Sequence, residues 1–405
     1  MRLGTLIAFG FGTILSFGAA LAGIMVYSAN PADGFYIIGH DELEHRAFAK
    51  ILLTENDGNF FGNVFEGESL VGAGVWGNAV AIGLCEYLFS DARFYFALKF
   101  ILHLIAARCL YVLIGKYKGE YLARYVTFFF LVYPPILLYS ASYLKDDLVA
   151  SLIVIAAFAV DRKSFLLLVL LIAFLAITRF NAVLVPIIIM AYLKEAKFKE
   201  IVVWSVIPVL GSLLIIPFGY FEKIWEIVDL PLLSLLFYVL KYLIGPIPSS
   251  TVLAIDSEVH TLFLWYFISF VGIILGFFFR EFYQNIVRNW LWIVLLLMVT
   301  LGPYLLYVKE FDVVGPRQFS AVGWLFFLLF YERLFMRYKL KLVGSSRKSV
   351  GKNGHQNHNF GSMDVRIFSR RYSSSRNPYA RRWMTRIFLL SPSTKPSETL
   401  LSGWQ

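Results

Sequence analysis

Long apolar segments recur along this chain, and short segments between them carry most of its charged residues. A helix needs about 20 apolar residues to cross a bilayer, and residues 3–27 meet that length. This first segment is too long for the core of a signal peptide and lacks a convincing small-residue cleavage site. The pattern predicts an all-α, polytopic integral membrane protein of about ten transmembrane helices, the other nine at 94–114, 125–143, 147–160, 164–178, 181–193, 201–219, 260–279, 289–308 and 318–336.

The charges of the loops predict the orientation of these spans. Residues 28–70 hold eight carboxylates against few basic residues, so this loop is predicted to lie outside. Lys and Arg concentrate in cytoplasmic loops, which predicts a cytoplasmic position for 115–124, 161–163, 194–200, 280–288 and 333–348. The alternation of basic and acidic loops fits ten membrane crossings and predicts that both termini lie in the cytoplasm. It also favours a helical hairpin over 164–193, because one span there would put neighbouring basic loops on opposite sides.

Two further apolar stretches are predicted to stay on the outer surface. Residues 71–91 are interrupted by Asn78 and Glu86, and residues 221–257 contain several charges and a proline-rich turn. Both stretches are typical of extracytoplasmic amphipathic helices that lie in the membrane interface.

Composition agrees with a membrane protein and separates a tail from the body. The chain is 59% hydrophobic and 16% charged, whereas soluble domains carry about 25% charged residues. The net charge of +10 lies almost entirely in residues 344–405, which hold eleven Lys or Arg and two acids. We therefore predict a transmembrane domain over 1–343 and a basic, disordered cytoplasmic tail over 344–405. A uniformly basic nucleic-acid-binding protein is excluded.

The first candidate site follows the first span, in the segment GHDELEHR. Asp41 or Glu42 could act as a general base toward an acceptor hydroxyl. With His40, Glu44 and His45 a carboxylate here could instead hold a divalent cation. A solvated, self-paired start of a helix explains the same pattern.

The remaining candidates lie at other outer ends of the predicted spans. Lys145, Asp146 and Asp147 directly precede an apolar run, Arg179 lies in the outer turn of the hairpin, and Arg317 opens the last span. Arginine suits phosphate because its planar fork donates two parallel hydrogen bonds. Interfacial anchoring of each group is the alternative. Taken together, cations and carboxylates from four segments on one face are what a lipid-linked phosphate substrate requires.

The order of these features resembles the GT-C superfamily of membrane glycosyltransferases, which includes protein O-mannosyltransferases and lipid A aminoarabinose transferases. The resemblance covers about residues 1–200 and is carried by sparse positions in HDELEHRAFAKIL, GVWGNAVAIGLCEYLFSDARFYFALKF, YPPILLYSASYLKDD and FLAITRFNAVLVP.

This resemblance implies an inverting transfer of a sugar from a polyprenyl-phosphate donor to a glycan, lipid or protein acceptor, at the outer face of the cytoplasmic membrane. Asp41 matches the catalytic carboxylate, with Glu42 as a substitute, and Arg179 matches a contact to the donor phosphate. Asp146 or Asp147 matches the second acidic motif. The chain departs from the family pattern at Phe180, where proline is usual, and at Lys145, which precedes the acid.

Two other functions stay open at this point. A polymerase of lipid-linked repeat units, of the O-antigen type, would rely on Arg179 and Arg317. A flippase or transporter of lipid-linked precursors would need charges near mid-membrane and paired, interrupted helices in two halves of the chain. No cofactor is required by these motifs, although a divalent cation fits the first site.

Overall fold

The computed structural model describes residues 3–30, 41–55, 59–66, 76–179, 182–196, 280–300 and 321–332. Within these residues the regular structure is helical and contains no strand, which confirms the predicted all-α class. The predicted spans 201–219 and 260–279, the outer segment 221–257 and the tail 344–405 lie outside the described residues. The helices are α1 Leu3–Ala29, α2 Asp41–Thr54, α3 Phe60–Glu66, α4 Trp76–Phe89, α5 Phe94–Tyr117, α6 Glu120–Val132, α7 Pro134–Ser140, α8 Asp146–Arg162, α9 Phe165–Arg179, α10 Val185–Lys194, α11 Arg280–Thr300 and α12 Ala321–Glu332.

Three of these helices, α1, α5 and α11, are long and apolar enough to cross a membrane. α1 carries an outward face of large apolar side chains, and Ile7, Phe11, Ile14 and Met25 are each more than half exposed. Soluble monomers rarely show so large a contiguous apolar surface, so these helices fit a membrane protein.

The predicted span 125–143 is divided into two helices. α6 ends at Val132 and α7 begins at Pro134, and the two axes bend by 43°. Tyr133 is extended (φ −62°, ψ 113°) because a residue before proline disfavours the helical conformation. Pro134 and Pro135 then occupy the first positions of α7, where a missing N–H is harmless. The predicted span at 125–143 is therefore interrupted at Tyr133, and α6 and α7 together are apolar enough for one broken span.

Helix α5 packs most extensively against α8 and α6. The Lys99 Nζ lies 3.2 Å from Asp147 Oδ1 near the start of α5 and α8, and the Lys116 Nζ lies 2.8 Å from Asp161 Oδ1 near their ends. These two ion pairs show that α5 and α8 run parallel. They also define two ends of the bundle, which we call the Asp147 end and the Asp161 end.

At the Asp161 end, the structure joins segments that the loop charges group on one side. Lys118 Nζ lies 3.5 Å from a carboxylate oxygen of both Glu195 and Glu332. The Tyr192 hydroxyl donates a hydrogen bond of 2.7 Å to Glu332. The described residues of loops 115–124, 161–163 and 194–200 thus contribute to one polar layer, which agrees with grouping these loops on one side. That this layer faces the cytoplasm stays a prediction.

The predicted hairpin over 164–193 consists of the two short helices α9 and α10. Residues 182–184 form the described part of the turn between them, and Pro186 lies in the first turn of α10. The hairpin places the last residue of α9, Arg179, at the Asp147 end.

Candidate functional site

The candidate site is built around residues 141–145, the loop that joins α7 to α8. We call this segment the α7–α8 loop. It lies against the last turns of α1, where a Cβ added to Gly23 would come within 2.7 Å of the Ala141 carbonyl oxygen. Glycine therefore allows α1 to approach the loop backbone closely. Helices α2, α4, α5 and α9 contribute the other contacts described below.

Lys99, on α5, holds the loop from beneath. Its side chain is fully buried, and its ammonium donates to the carbonyl oxygens of Tyr139 at 2.7 Å, Ser142 at 2.6 Å and Leu144 at 3.3 Å. The ammonium also forms the 3.2 Å ion pair with Asp147, whose side chain is 1% exposed. A buried charge is tolerated when it is both paired and hydrogen-bonded, and Lys99 is both.

Asp146 and Asp147 turn to different helices. Successive residues of a helix point about 100° apart, since 3.6 residues complete a turn. Asp147 accordingly meets Lys99 of α5, whereas the Asp146 Oδ1 lies 2.5 Å from Arg179 Nη2 of α9. The Arg179 side chain is only 7% exposed in this pair. The first turn of α8 is thus held on both sides by buried cations.

Glu42 reaches the loop from α2. The Tyr27 hydroxyl donates a hydrogen bond to Glu42 Oε2, and the Tyr143 backbone N–H donates a second of 3.1 Å to the same oxygen. The Glu42 side chain is buried at this position. Glu42 therefore ties the end of α1 to the middle of the α7–α8 loop.

Helix α4 completes the enclosure of the loop. The Asn78 side-chain nitrogen donates a hydrogen bond of 2.8 Å to the Tyr143 carbonyl oxygen, and its side-chain oxygen accepts one from the Tyr95 hydroxyl. One residue earlier, a Cβ on Gly77 would lie 2.5 Å from Thr178 Oγ1 and 2.7 Å from the Thr178 backbone nitrogen. Gly77 therefore permits the close packing of α4 on the end of α9.

Two arginines lie at the outer margin of this site. Arg46 of α2 makes cation–π contacts with two tyrosines: its guanidinium carbon lies 5.5 Å from the ring centre of Tyr27 and 5.3 Å from that of Tyr143. Arg93, just before α5, donates 2.6 Å to the Ser28 hydroxyl and pairs with Asp91 at 2.6 Å. The hydrogen bond from Arg93 holds the pKa of Asp91 below its usual value.

The site residues predicted from the sequence fall into three groups. Glu42, Asp146, Asp147 and Arg179 converge on the α7–α8 loop as described. Lys145 is buried directly before α8, and Asp41 is the first residue of α2, next to Glu42. Arg317 lies outside the described residues.

The proposed cation ligands of the first site do not share one environment. Glu44 is exposed, whereas His45, the next residue of α2, is buried. His40 is not among the described residues. Among the residues that the structure does describe, no three His, Cys, Asp or Glu side chains are grouped to hold a metal ion.

Sequence reasoning missed Lys99, the cation with the most contacts to the loop. It lies within the predicted span 94–114, where a charged residue is costly and marks a functional or structural site by default. That rule alone would have singled it out. Asn78 was recognised as an interruption of an apolar segment, but its partners on the loop depend on tertiary packing.

Comparison with known proteins assigns no family or function to this chain. No protein family model, no curated protein and no solved structure matches this chain.

Proposed function

We propose that this protein transfers a sugar from a polyprenyl-phosphate donor to a glycan, lipid or protein acceptor at the extracytoplasmic face of the cytoplasmic membrane. One observation supports the proposal above the others. Ionisable side chains from α2, α5, α8 and α9 surround a single loop at one end of an apolar bundle: Glu42, Lys99, Asp146, Asp147 and Arg179. The polar headgroup of an amphiphilic substrate needs a binding site of this kind, with charged side chains at one end of an apolar bundle.

In the proposed reaction, the acceptor hydroxyl oxygen attacks the anomeric carbon while the bond from that carbon to the phosphate oxygen breaks. The acceptor proton passes to a carboxylate, and the polyprenyl phosphate leaves with the bonding electron pair. Asp41 is the proposed base, with Glu42 as the substitute, since Glu42 already accepts two hydrogen bonds. A base within hydrogen-bond reach of the acceptor is the requirement of this step.

Lys145, Arg179 and Arg317 are the cations that sequence reasoning assigns to the phosphate. Arg179 is bound to Asp146 at 2.5 Å and only 7% of its side chain is exposed, so a phosphate there would have to enter a buried ion pair and displace its carboxylate. We therefore propose that Arg179 mainly positions Asp146 at the head of α8. Lys145, one residue earlier, and Arg317 keep their proposed role.

The topology belongs to the proposal as well. With ten spans and cytoplasmic termini, the Asp161 end faces the cytoplasm and the Asp147 end faces outward. The lysines of the Asp161 end, Lys116, Lys118 and Lys194, agree with this orientation because cytoplasmic ends are rich in Lys and Arg.

The test is a mass-spectrometric profile of membrane lipids and surface glycans. Cells would carry the wild type, Asp41→Asn, Glu42→Gln or no gene, with the amount of protein in the membrane matched. We expect Asp41→Asn to reproduce the deletion, with a polyprenyl-linked sugar accumulating and one glycan missing. A wild-type profile for Asp41→Asn, beside a clear defect in the deletion, would remove Asp41 as the base.

A transporter of lipid-linked precursors is the second candidate, favoured by the buried pair of Lys99 and Asp147 inside the bundle. Intramembrane ion pairs occur along transport pathways. A transporter needs no carboxylate at Asp41, so Asp41→Asn separates the two functions.

A repeat-unit polymerase is distinguished by its product, a ladder of chain lengths in place of one defined addition.

A further inference from the structure

A lipid-linked phosphate reaches a membrane protein sideways, from within the bilayer. Its headgroup must therefore first meet cations at the boundary between the protein and the lipid. Arg179 does not meet this condition, because only 7% of its side chain is exposed. Lys99 is fully buried beneath the α7–α8 loop. The cations that first meet the phosphate must therefore be side chains nearer the surface.

Arg46 and Arg93 satisfy this condition. Arg93 has 42% of its side chain exposed, and Arg46 is half-buried. Arg46 covers the ring of Tyr27, and Arg93 is bonded to Ser28, the next residue of α1. Arg46 also lies over the ring of Tyr143, in the middle of the α7–α8 loop. Both guanidinium groups therefore lie beside the end of α1, and that of Arg46 also lies beside the loop.

Both arginines are also held in position before any ligand arrives. The Arg93 Nε donates a hydrogen bond of 2.8 Å to Asp91, its Nη2 lies 2.6 Å from the same carboxylate, and its Nη1 donates a hydrogen bond of 2.6 Å to the Ser28 hydroxyl, so the guanidinium plane is fixed. Unlike the pair of Arg179 and Asp146, this ion pair is partly exposed, so an incoming phosphate can reach the guanidinium from the surface. Arg46 is fixed by stacking on two tyrosine rings. A preorganised fork binds phosphate with less loss of side-chain entropy than a mobile lysine.

Apolar surface continues from these arginines along the protein. Phe94, next to Arg93, stacks on Phe89 with ring centres 4.5 Å apart, and the two are 45% and 54% exposed. Ile101 and Ile105 extend the exposed face of Phe94 along α5, since positions seven and four apart share one side of a helix. Arg93 thus lies at one end of a row of exposed apolar side chains on α5.

We propose that Arg46 and Arg93 bind the phosphate of the polyprenyl-phosphate donor and that the strip from Phe89 to Ile105 receives its isoprenoid chain. The inference rests on the proposed function for the identity of the ligand. It assigns the lipid-binding step to residues that sequence reasoning did not select. Asp91 and Ser28 orient Arg93 and are positioning residues in this site.

The test measures binding alone, with no sugar transfer. The full-length protein would be placed in nanodiscs of phosphatidylcholine and titrated with a long-chain polyprenyl phosphate, followed by native mass spectrometry. We expect Arg93→Gln and Arg46→Gln each to weaken binding about tenfold, which corresponds to about 1.4 kcal/mol, because each substitution removes charged hydrogen-bond donors to the phosphate. Phe94→Ser should weaken binding of the polyprenyl phosphate but not that of a short isoprenyl phosphate.

Lys50→Gln is the matched control, because Lys50 is an exposed cation of the same helix as Arg46. Equal weakening by Lys50→Gln, or equal competition by phosphatidylglycerol, would show general attraction of anionic lipid and overturn the site. Unchanged binding in a folded Arg46→Gln/Arg93→Gln double variant would overturn it as well. Normal binding without any glycan defect in cells would contradict the proposed transfer reaction and leave this site standing.

Discussion

Lys99 and Asp147 form an ion pair 3.2 Å long between the parallel helices α5 and α8, with both side chains almost completely buried. The same ammonium bonds to the carbonyl oxygens at the end of α7 and in the α7–α8 loop. One side chain therefore joins three helices. Its removal should loosen the loop that carries the contacts of Glu42 and Asn78.

We predict that Lys99→Met lowers the free energy of unfolding by about 3–5 kcal/mol, because Asp147 would remain buried without its cation. Adding Asp147→Leu should recover part of this loss, and only part, since the loop carbonyls would still lack their donor. Thermal unfolding in detergent measures both effects. Lys116→Met on the same helix is the control and should have little effect, because Lys116 is half exposed and Asp161 keeps Tyr117 and Lys194.

A second prediction concerns Arg179. Arg179→Gln should lower the free energy of unfolding by about 3–5 kcal/mol, since it leaves the fully buried Asp146 without the cation bound to it. The double variant Arg179→Gln/Asp146→Asn should recover most of that loss, as two neutral amides can bond to each other. We expect the folded double variant to bind polyprenyl phosphate normally. Loss of binding in that variant would instead make Arg179 a phosphate contact.

A third prediction uses two glycines of α1. Alanine at Gly23 would place its Cβ 2.7 Å from the Ala141 carbonyl oxygen and 2.9 Å from Phe96, so we expect a loss of about 1–3 kcal/mol from overpacking. Alanine at Gly18 meets no atom within 4 Å and should be neutral or stabilising by up to about 1 kcal/mol. Unfolding temperatures of the two variants in one detergent give the comparison. Equal effects would mean that α1 does not lie against the α7–α8 loop as described.

A fourth prediction concerns the pH dependence of the pair between Asp91 and Arg93. The hydrogen bond from Arg93 lowers the pKa of Asp91 in the folded protein, whereas an unfolded Asp has a pKa of about 3.9. A carboxyl group whose pKa is lowered by folding stabilises the folded protein at pH values above its pKa in the unfolded chain. This stabilisation is lost as the pH falls through the pKa of the group in the folded protein. The difference in unfolding temperature between the wild type and Asp91→Asn should therefore be constant above about pH 5 and shrink in acid. A difference that grows below pH 4 would contradict the pairing.

Sequence patterns gave the helical class, the hairpin of α9 and α10 and the convergence of Glu42, Asp146 and Arg179, because each follows from local hydrophobicity or the alternation of loop charges. They did not give the pairing of the two adjacent aspartates with different helices, which depends on where α5 and α9 pack around α8. The bend at Tyr133 was missed for another reason. Its two prolines were treated as part of an apolar run, although the backbone restriction before Pro134 predicts a break.

The pairing of Lys99 with Asp147 also has a consequence for biosynthesis. Lys99 precedes its partner by 48 residues, so at about 5–20 residues per second the ribosome adds Asp147 roughly 2 to 10 s later. During that interval a nascent α5 carries a positive charge that has no counter-ion in the lipid. We expect α5 to remain beside the protein-conducting channel until α8 emerges, so that the two helices leave for the bilayer together.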